Sequence, residues 1–292
     1  MSQPASQSSK LRAMLASRRM VVAPGAIDGL TGRMIEQAGF SAAYMTGAGT
    51  AMTLGYPDYG LTTMTEMVAN ATRIVNAIGI PLISDSDTGY GNELNVFRTV
   101  QEFERAGVAA IHIEDQVFPK KCGHLDDKEL VSRADYIAKI RAAAAARRSP
   151  DFVVIARTDA RAVAGLDEAI ERANLALANG ADVAFVEAPQ TMAEIEAVPR
   201  RVNGPCLLNV VRGGKTPEIA LETAERLGYA IAIVPGLLLT GIMQACDRLL
   251  ADLREGRFPP VSGSPARGFA RFGAAEWDAR RTAFRDPIKE AE

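Results

Sequence analysis

The sequence predicts one (β/α)8 (TIM) barrel followed by a C-terminal helical extension. Three observations predict it. Eight short apolar runs alternate with longer stretches of helical periodicity, almost from end to end. The length of 292 residues suits one barrel of about 250 residues with additions at its termini. No Gly-x-Gly-x-x-Gly follows the first run, which removes the main reason to prefer an open, dinucleotide-binding sheet.

Met1–Lys10 is polar, rich in Ser and Gln, and lacks an apolar centre. It reads as the start of a flexible tail reaching residue 12, not as a secretion signal. The barrel is expected over 13–256. Its strands are expected at Met20–Pro24, Ala42–Thr46, Pro81–Asp85, Ala109–Glu114, Phe152–Arg157, Asp182–Glu187, Cys206–Val210 and Ile231–Pro235. They are apolar on successive residues, as strands covered on both faces should be. Helices are expected between them at Thr31–Gly39, Met64–Ala77, Asn95–Gly107, Ala134–Arg147, Leu166–Gly180, Met192–Arg200 and Glu218–Gly228. Val96, Val100 and Phe103 show the spacing in one, and Ala169, Ile170, Ala173 and Leu177 in another. Gln116–Arg133 is long for a βα loop and reads as a mobile lid. The extension, 257–292, holds Pro259, Pro260 and Pro265 before a helical stretch around Ala274–Phe284. Such spacing suggests a segment that packs on a neighbouring subunit.

The net charge is −2 with both signs mixed along the chain, so no basic stripe offers itself to nucleic acid or a membrane surface. Apolar stretches such as Ala230–Leu239 are too short to span a bilayer and contain Pro235 and Gly236. Three cysteines, Cys122, Cys206 and Cys246, are too few for a disulfide framework and lack zinc spacing. Reduced thiols in a cytoplasmic enzyme are the plain expectation.

Catalytic side chains of a barrel gather where its strands end, and here those ends are polar. The second ends Tyr44-Met45-Thr46-Gly47-Ala48-Gly49, the third Asp85-Ser86-Asp87, the fourth His112-Ile113-Glu114-Asp115. The fifth ends Arg157-Thr158-Asp159, the sixth at Glu187, and the seventh holds Asn209. A core strand gains nothing from such residues, so a site on this rim is expected. Asp85, Asp87 and Glu114 are hard oxygen donors that suit Mg²⁺; zinc would want His or Cys in a tighter set. Gly47 and Gly49 can let backbone N–H groups close on an anion. Arg157 is a fork for a substrate carboxylate. The chain's two histidines, His112 and His124, fall in the same stretch as Glu114 and Cys122. Cys122 lies in Lys120-Lys121-Cys122-Gly123-His124, where the cations are expected to lower its pKa and Gly123 to let the lid bend.

Lys-Lys-Cys-Gly-His after Ile-Glu-Asp-Gln, with Asp-x-Asp-x-Gly-x-Gly at Asp85–Gly91, strongly resembles the isocitrate lyase/phosphoenolpyruvate mutase superfamily. The likeness runs from about Val21 to Leu250 and points to the short lyase branch, the 2-methylisocitrate and 2,3-dimethylmalate lyases. The Gly-Gly-Lys-Thr-Pro form after Asn209 looks more like the dimethylmalate group. The resemblance implies a barrel whose eighth helix swaps between partners in a homotetramer, a dimer of dimers. It implies Mg²⁺ (with Mn²⁺ as a substitute) held by Asp87 directly and by Asp85 and Glu114 largely through water. It implies that Tyr44, Thr46, Gly47 and Gly49 shape the pocket, that Arg157, Glu187 and Asn209 complete it, and that Asp58 falls on a site position. The expected reaction is cleavage of a 2-alkylmalate or 2-methylisocitrate-like acid to pyruvate and a second carboxylate. Cys122 would be the proton donor, Tyr44 or a metal-bound water the base, and His124 and Arg157 would hold the departing carboxylate. An oxaloacetate hydrolase on the same residues, a phosphonomutase-type enzyme on a C–P substrate, and a non-catalytic binder of 2-oxo acids stay open.

Overall fold

The computed structural model describes residues 6–258, 260 and 263–285. Eight parallel strands close in sequence order into a barrel: β1 (Val21–Ala26), β2 (Ala43–Met45), β3 (Leu82–Asp85), β4 (Ala110–Glu114), β5 (Val153–Thr158), β6 (Val183–Val186), β7 (Cys206–Asn209) and β8 (Tyr229–Val234). β1 pairs β8, with Val21 opposite Ile231, and this closes the ring. The helices that flank the strands are α1 (Gln7–Ala16), α2 (Gly29–Gln37), α3 (Gly47–Thr53), α4 (Met64–Ala77), α5 (Glu93–Arg105), α6 (Arg133–Ala146), α7 (Ala160–Ala164), α8 (Leu166–Ala178), α9 (Met192–Arg201) and α10 (Leu221–Leu227). After β8 come α11 (Gly236–Arg254), α12 (Pro265–Ala270) and α13 (Ala274–Arg285).

Local chemistry sets several helix starts. Asp28, Thr63 and Asn92 each cap a helix and are answered by Thr31, Glu66 and Asn95 in reciprocal capping boxes. The amphipathic stripe of α5 buries Val96, Val100 and Phe103. These residues join Met67, Ile74, Ile111 and Val154 in one core cluster. A second cluster runs along one face of the strands through Ala23, Tyr44, Ile83, Ala110, Val153, Ile155, Phe185 and Leu207. Because side chains repeat every second residue, this is also the face of Asp85, His112, Glu114, Arg157, Glu187 and Asn209. The site is therefore the continuation of a packed core toward the ends of its strands.

The chain divides into two compact units, Met1–Gly241 and Ile242–Glu292, and each is described by itself. In the first, the flexible tail expected to residue 12 is corrected. Ser6 caps a helix that begins at Gln7, and Leu11 on it is wholly buried in the core cluster that also holds Val21 and Ala23. One apolar side chain at the right turn outweighs the polar composition around it; residues 1–5 lie outside the described residues. In the second unit, Arg280 lies over the Trp277 ring at 4.9 Å, and Pro259 lies outside the described residues. Among the described residues no helix is long and apolar enough to cross a membrane.

Candidate active site

Tyr44, Thr46, Asp58, Asp85, Cys122, Gly123, His124, Arg157, Glu187 and Asn209 surround one cavity of about 150 Å³. Ala48, Val211, Pro235, Gly236 and Leu239 supply its apolar side. His112, Asp87 and Glu114 lie behind its wall, and Gly47 and Gly49 in the first turn of α3.

β2, β3 and β4 place a buried polar trio. The Tyr44 hydroxyl is 2.8 Å from Nε2 of His112 and 3.5 Å from Oδ2 of Asp85, and the two rings stack at 5.8 Å. Burial pushes His112 down to about 4, so it is neutral at pH 7. Its Nε2 and the tyrosine hydroxyl share one hydrogen bond. Burial and the Asp85 charge hold the Tyr44 phenol well above its ordinary value, so Tyr44 is a hydrogen-bond donor in this state. Burial alone would raise Asp85, but His112 when charged, Lys120, Arg157 and the Asp87 N–H bring it down to about 2. Gly47 N–H donates to Asp85 Oδ2 at 3.2 Å, and a Cβ on Gly47 would sit 2.3 Å from that oxygen. The anion that this backbone turn closes on is thus the protein's own carboxylate, and Gly49 N–H is taken by Thr46 Oγ1 at 3.3 Å.

Asp87 lies two residues beyond β3 with φ 47°. A left-handed turn orients it, not the alternation of the strand. Burial raises it to about 6 against the pull of Lys120, whose Nζ is 2.8 Å away. The same ammonium is 2.6 Å from Asp58. Glu114 is wholly buried and pushed well above its ordinary value by that burial. Its Oε2 is 3.1 Å from Arg157 Nη1, and its Oε1 has no hydrogen-bond partner among the described residues. No three His, Cys, Asp or Glu side chains among the described residues are gathered as a complete metal site. Buried carboxylates with an unanswered oxygen fit a hard cation that keeps water in its shell, because such a cation needs few direct protein ligands.

The fifth, sixth and seventh strands supply the opposite wall. Arg157 grips Asp159 through Nε at 3.0 Å and Nη2 at 3.3 Å. Its guanidinium lies over Phe185 at 5.3 Å. The fork expected to be open for a substrate is therefore already seated on an internal acid. Glu187 receives Asn209 Nδ2 at 3.2 and 3.3 Å and faces His124 Nε2 at 3.1 Å. Burial would raise Glu187, but Arg157, His124 and Asn209 hold it at about 2. Asn209 Oδ1 is buried with no partner among the described residues.

The lid brings the Cys122 turn against this wall. Lys215 N–H donates to His124 Nδ1 at 3.0 Å, which leaves the His124 proton on Nε2, toward Glu187. Gln116 brackets Lys121 through two hydrogen bonds, 2.8 and 3.0 Å. A Cβ on Gly123 would lie 2.5 Å from Glu187 Cγ and 2.6 Å from Arg157 Nη2. Gly123 is needed for this close approach rather than for a bend. The expectation for Cys122 is corrected: its thiol is raised, not lowered. Burial is the main cause and the charges of Asp58 and Glu187 add to it, against a hydrogen bond from the His124 backbone and the charge of Arg157. Lys120 does not serve the thiol because it is spent on Asp58 and Asp87.

The sequence places Asp115 and Asp159 among the polar strand ends without a role for either, and does not single out Lys128. Lys128 Nζ, on a side chain 1% exposed, reaches the Gly123 carbonyl and lies 3.2 Å from Asp159. Asp115 accepts from Thr158 Oγ1 at 2.6 Å and from Asp159 N–H at 2.8 Å, and pairs with Arg172 at 3.1 Å. Two acids following two adjacent strands were the available signal.

The family model described as phosphoenolpyruvate phosphomutase matches residues 11–254. The chain belongs to the phosphoenolpyruvate mutase/isocitrate lyase superfamily. Within it, the chain is 50% identical over 245 residues to the 2,3-dimethylmalate lyase of Eubacterium barkeri, spanning 84% of this chain and 83% of that one. It is 43% identical over 245 residues to the 2-methylisocitrate lyase of Aeropyrum pernix, spanning 84% and 79%. The solved structure of oxaloacetate acetylhydrolase with 3,3-difluorooxalacetate superposes with a TM-score of 0.94 at 39% identity, covering 98% of this chain and all of that one. The superfamily's (β/α)8 barrel is the fold expected from the alternating runs.

Proposed function

We propose that this enzyme is a Mg²⁺-dependent carbon–carbon lyase that cleaves a 2-alkylmalate-like acid to pyruvate and a second carboxylate. The observation that carries the reading is the Cys122 thiol, set on the cavity wall and kept protonated by burial. A nucleophile would need the thiolate, whereas a proton donor needs the S–H that this environment favours.

Asp87, with Asp85 and Glu114 through water, would hold Mg²⁺, and Mn²⁺ as its substitute. Bound there, the ion would supply positive charge to the substrate's hydroxyl and carboxylate oxygens. Tyr44 meets the substrate hydroxyl and takes its proton as its own phenol proton passes to Nε2 of the neutral His112, where the Asp85 carboxylate answers the imidazolium. As the bond between C2 and C3 breaks, its electron pair goes to the second fragment. Cys122 Sγ–H gives its proton to that carbon. His124 Nε2–H and Arg157 border the second fragment and orient its carboxylate, and Asn209 Oδ1 faces the cavity as an acceptor for a substrate hydroxyl. Thr46, Gly47, Gly49 and Asp58 shape the opening, and Gly123 lets the lid lie close enough to exclude water. Ala48, Val211 and Leu239 give the alkyl groups an apolar side. The free cysteines suit a reducing cytoplasm. The exposed Leu249, Leu250 and Leu253 of α11 suit a helix exchanged between subunits of a tetramer.

The test is a product screen with 2,3-dimethylmalate, 2-methylisocitrate, other 2-alkylmalates and oxaloacetate, each with Mg²⁺, with Mn²⁺ and after EDTA. Pyruvate from a malate analogue, lost with EDTA, is the expected result. Oxalate from oxaloacetate alone would make the enzyme a hydrolase on the same residues, a reading the likeness to oxaloacetate acetylhydrolase favours as the second choice.

A further inference from the structure

A lysine in a surface loop normally keeps its ammonium in water, because burying the charge is costly without a partner. Lys128 does the opposite. It follows Asp126 and Asp127 in the polar middle of the lid, yet its side chain is only 1% exposed. Asp127, just before it, stands at φ 57°, a conformation a non-glycine residue adopts at some cost. That turn sends Lys128 toward the barrel.

Two groups receive the ammonium. One is the carbonyl of Gly123, between Cys122 and His124; the other is Oδ1 of the fully buried Asp159, at 3.2 Å. Asp159 is also the carboxylate that Arg157 grips with two nitrogens. Arg157 in turn reaches Gly123, since a Cβ there would lie 2.6 Å from Nη2. Lid and strand end thus share one acid, with Lys128 approaching from the lid and Arg157 from β5. The turn has other fastenings: His124 Nε2 faces Glu187 at 3.1 Å, Lys215 N–H donates to His124, Gln116 holds Lys121, and Cys122 N–H donates to the Asp58 carbonyl at 3.2 Å. Lys128 differs from them in tying the middle of the turn, the Gly123 carbonyl, to the buried acid at the end of β5.

We propose that Lys128 is the positioning residue that fastens the Cys122–His124 turn to the barrel rim, by tying the Gly123 carbonyl to Asp159. Its effect on turnover rests on the lyase reading above; its effect on the turn does not. Without the ammonium, Gly123 loses its donor and Asp159 keeps only Arg157, so the thiol is no longer held at the cavity.

The experiment uses the full-length protein and Lys128→Met, which keeps the apolar stem and removes the charge. Alkylation by iodoacetamide is followed by mass spectrometry at the Cys122 peptide, with the exposed Cys246 as internal reference. The expected result is about tenfold faster alkylation at Cys122 and no change at Cys246, read at a temperature where the variant is fully folded. Lys128→Arg should return Cys122 to within about twofold of wild type. The kcat should fall about a hundredfold in Lys128→Met, as expected when a reacting group is misplaced, with a much smaller change in KM. If Lys128→Met does not fold, Lys128→Gln, which keeps an amide donor but no charge for Asp159, carries the same test. Unchanged reactivity at Cys122 in a folded variant would overturn the proposal. Faster alkylation with no pyruvate from any substrate would leave the fastening in place and remove the lyase reading.

Discussion

At one end of the barrel, Leu11 is wholly buried in an apolar cluster with Val21 and Ala23. At the other end the same strands finish in Asp85, His112, Glu114, Arg157 and Glu187, all buried. Backbone and side-chain period are shared, and only the last residue or two of each strand differ. The apolar end gains from every buried methylene. The polar end must satisfy each desolvated charge with another, and it does so with Arg157, Lys120 and Lys128. The difference teaches that this rim tolerates so many acids because buried cations answer them, two of which come from the lid.

If that division is right, single substitutions should separate the two ends. Arg157→Leu leaves Glu114, Asp159 and Glu187 without their shared cation. It should cost about 3–5 kcal/mol and abolish turnover, as read by chemical denaturation and by product release. Leu11→Ala should cost about 2–5 kcal/mol yet leave kcat at 25 °C unchanged; a comparable loss of kcat would break the comparison. Glu187→Gln sharpens it with pH. The Glu187 carboxyl sits at about 2, below its ordinary 4.5, so its contribution to stability is full above 4.5 and lost as pH falls toward 2. The stability gap between wild type and variant should therefore close over that window in acid denaturation curves. The smallest effect is expected from Gly214→Ala, whose Cβ would lie 2.6 Å from His124 Nδ1. A turnover loss of about fivefold with unchanged melting temperature would show His124 displaced from Lys215 N–H.

The sequence made the strands legible because burial on both faces leaves apolar runs, and it made the rim legible because Asp85, Glu114, Arg157 and Glu187 interrupt them. It did not show α1, where a single buried Leu11 decides, nor α3, where Gly47 and Gly49 look like a turn and are a helix start. It showed Lys120 and Lys128 as charges but not where they point. A lysine seated on an acid and a lysine in water read alike in one dimension. For that reason the sequence does not give the direction of the Cys122 shift: burial raises the thiol, and Lys120, two residues before it, is spent on Asp58 and Asp87.

The central claim is that a protonated Cys122 completes the cleavage. Pyruvate release from 2,3-dimethylmalate with Mg²⁺ should be compared between wild type and Cys122→Ala at equal melting temperature. The account predicts release by wild type and a loss of about a thousandfold in the variant, within the range of a missing general acid. Equal rates from the two proteins would contradict it.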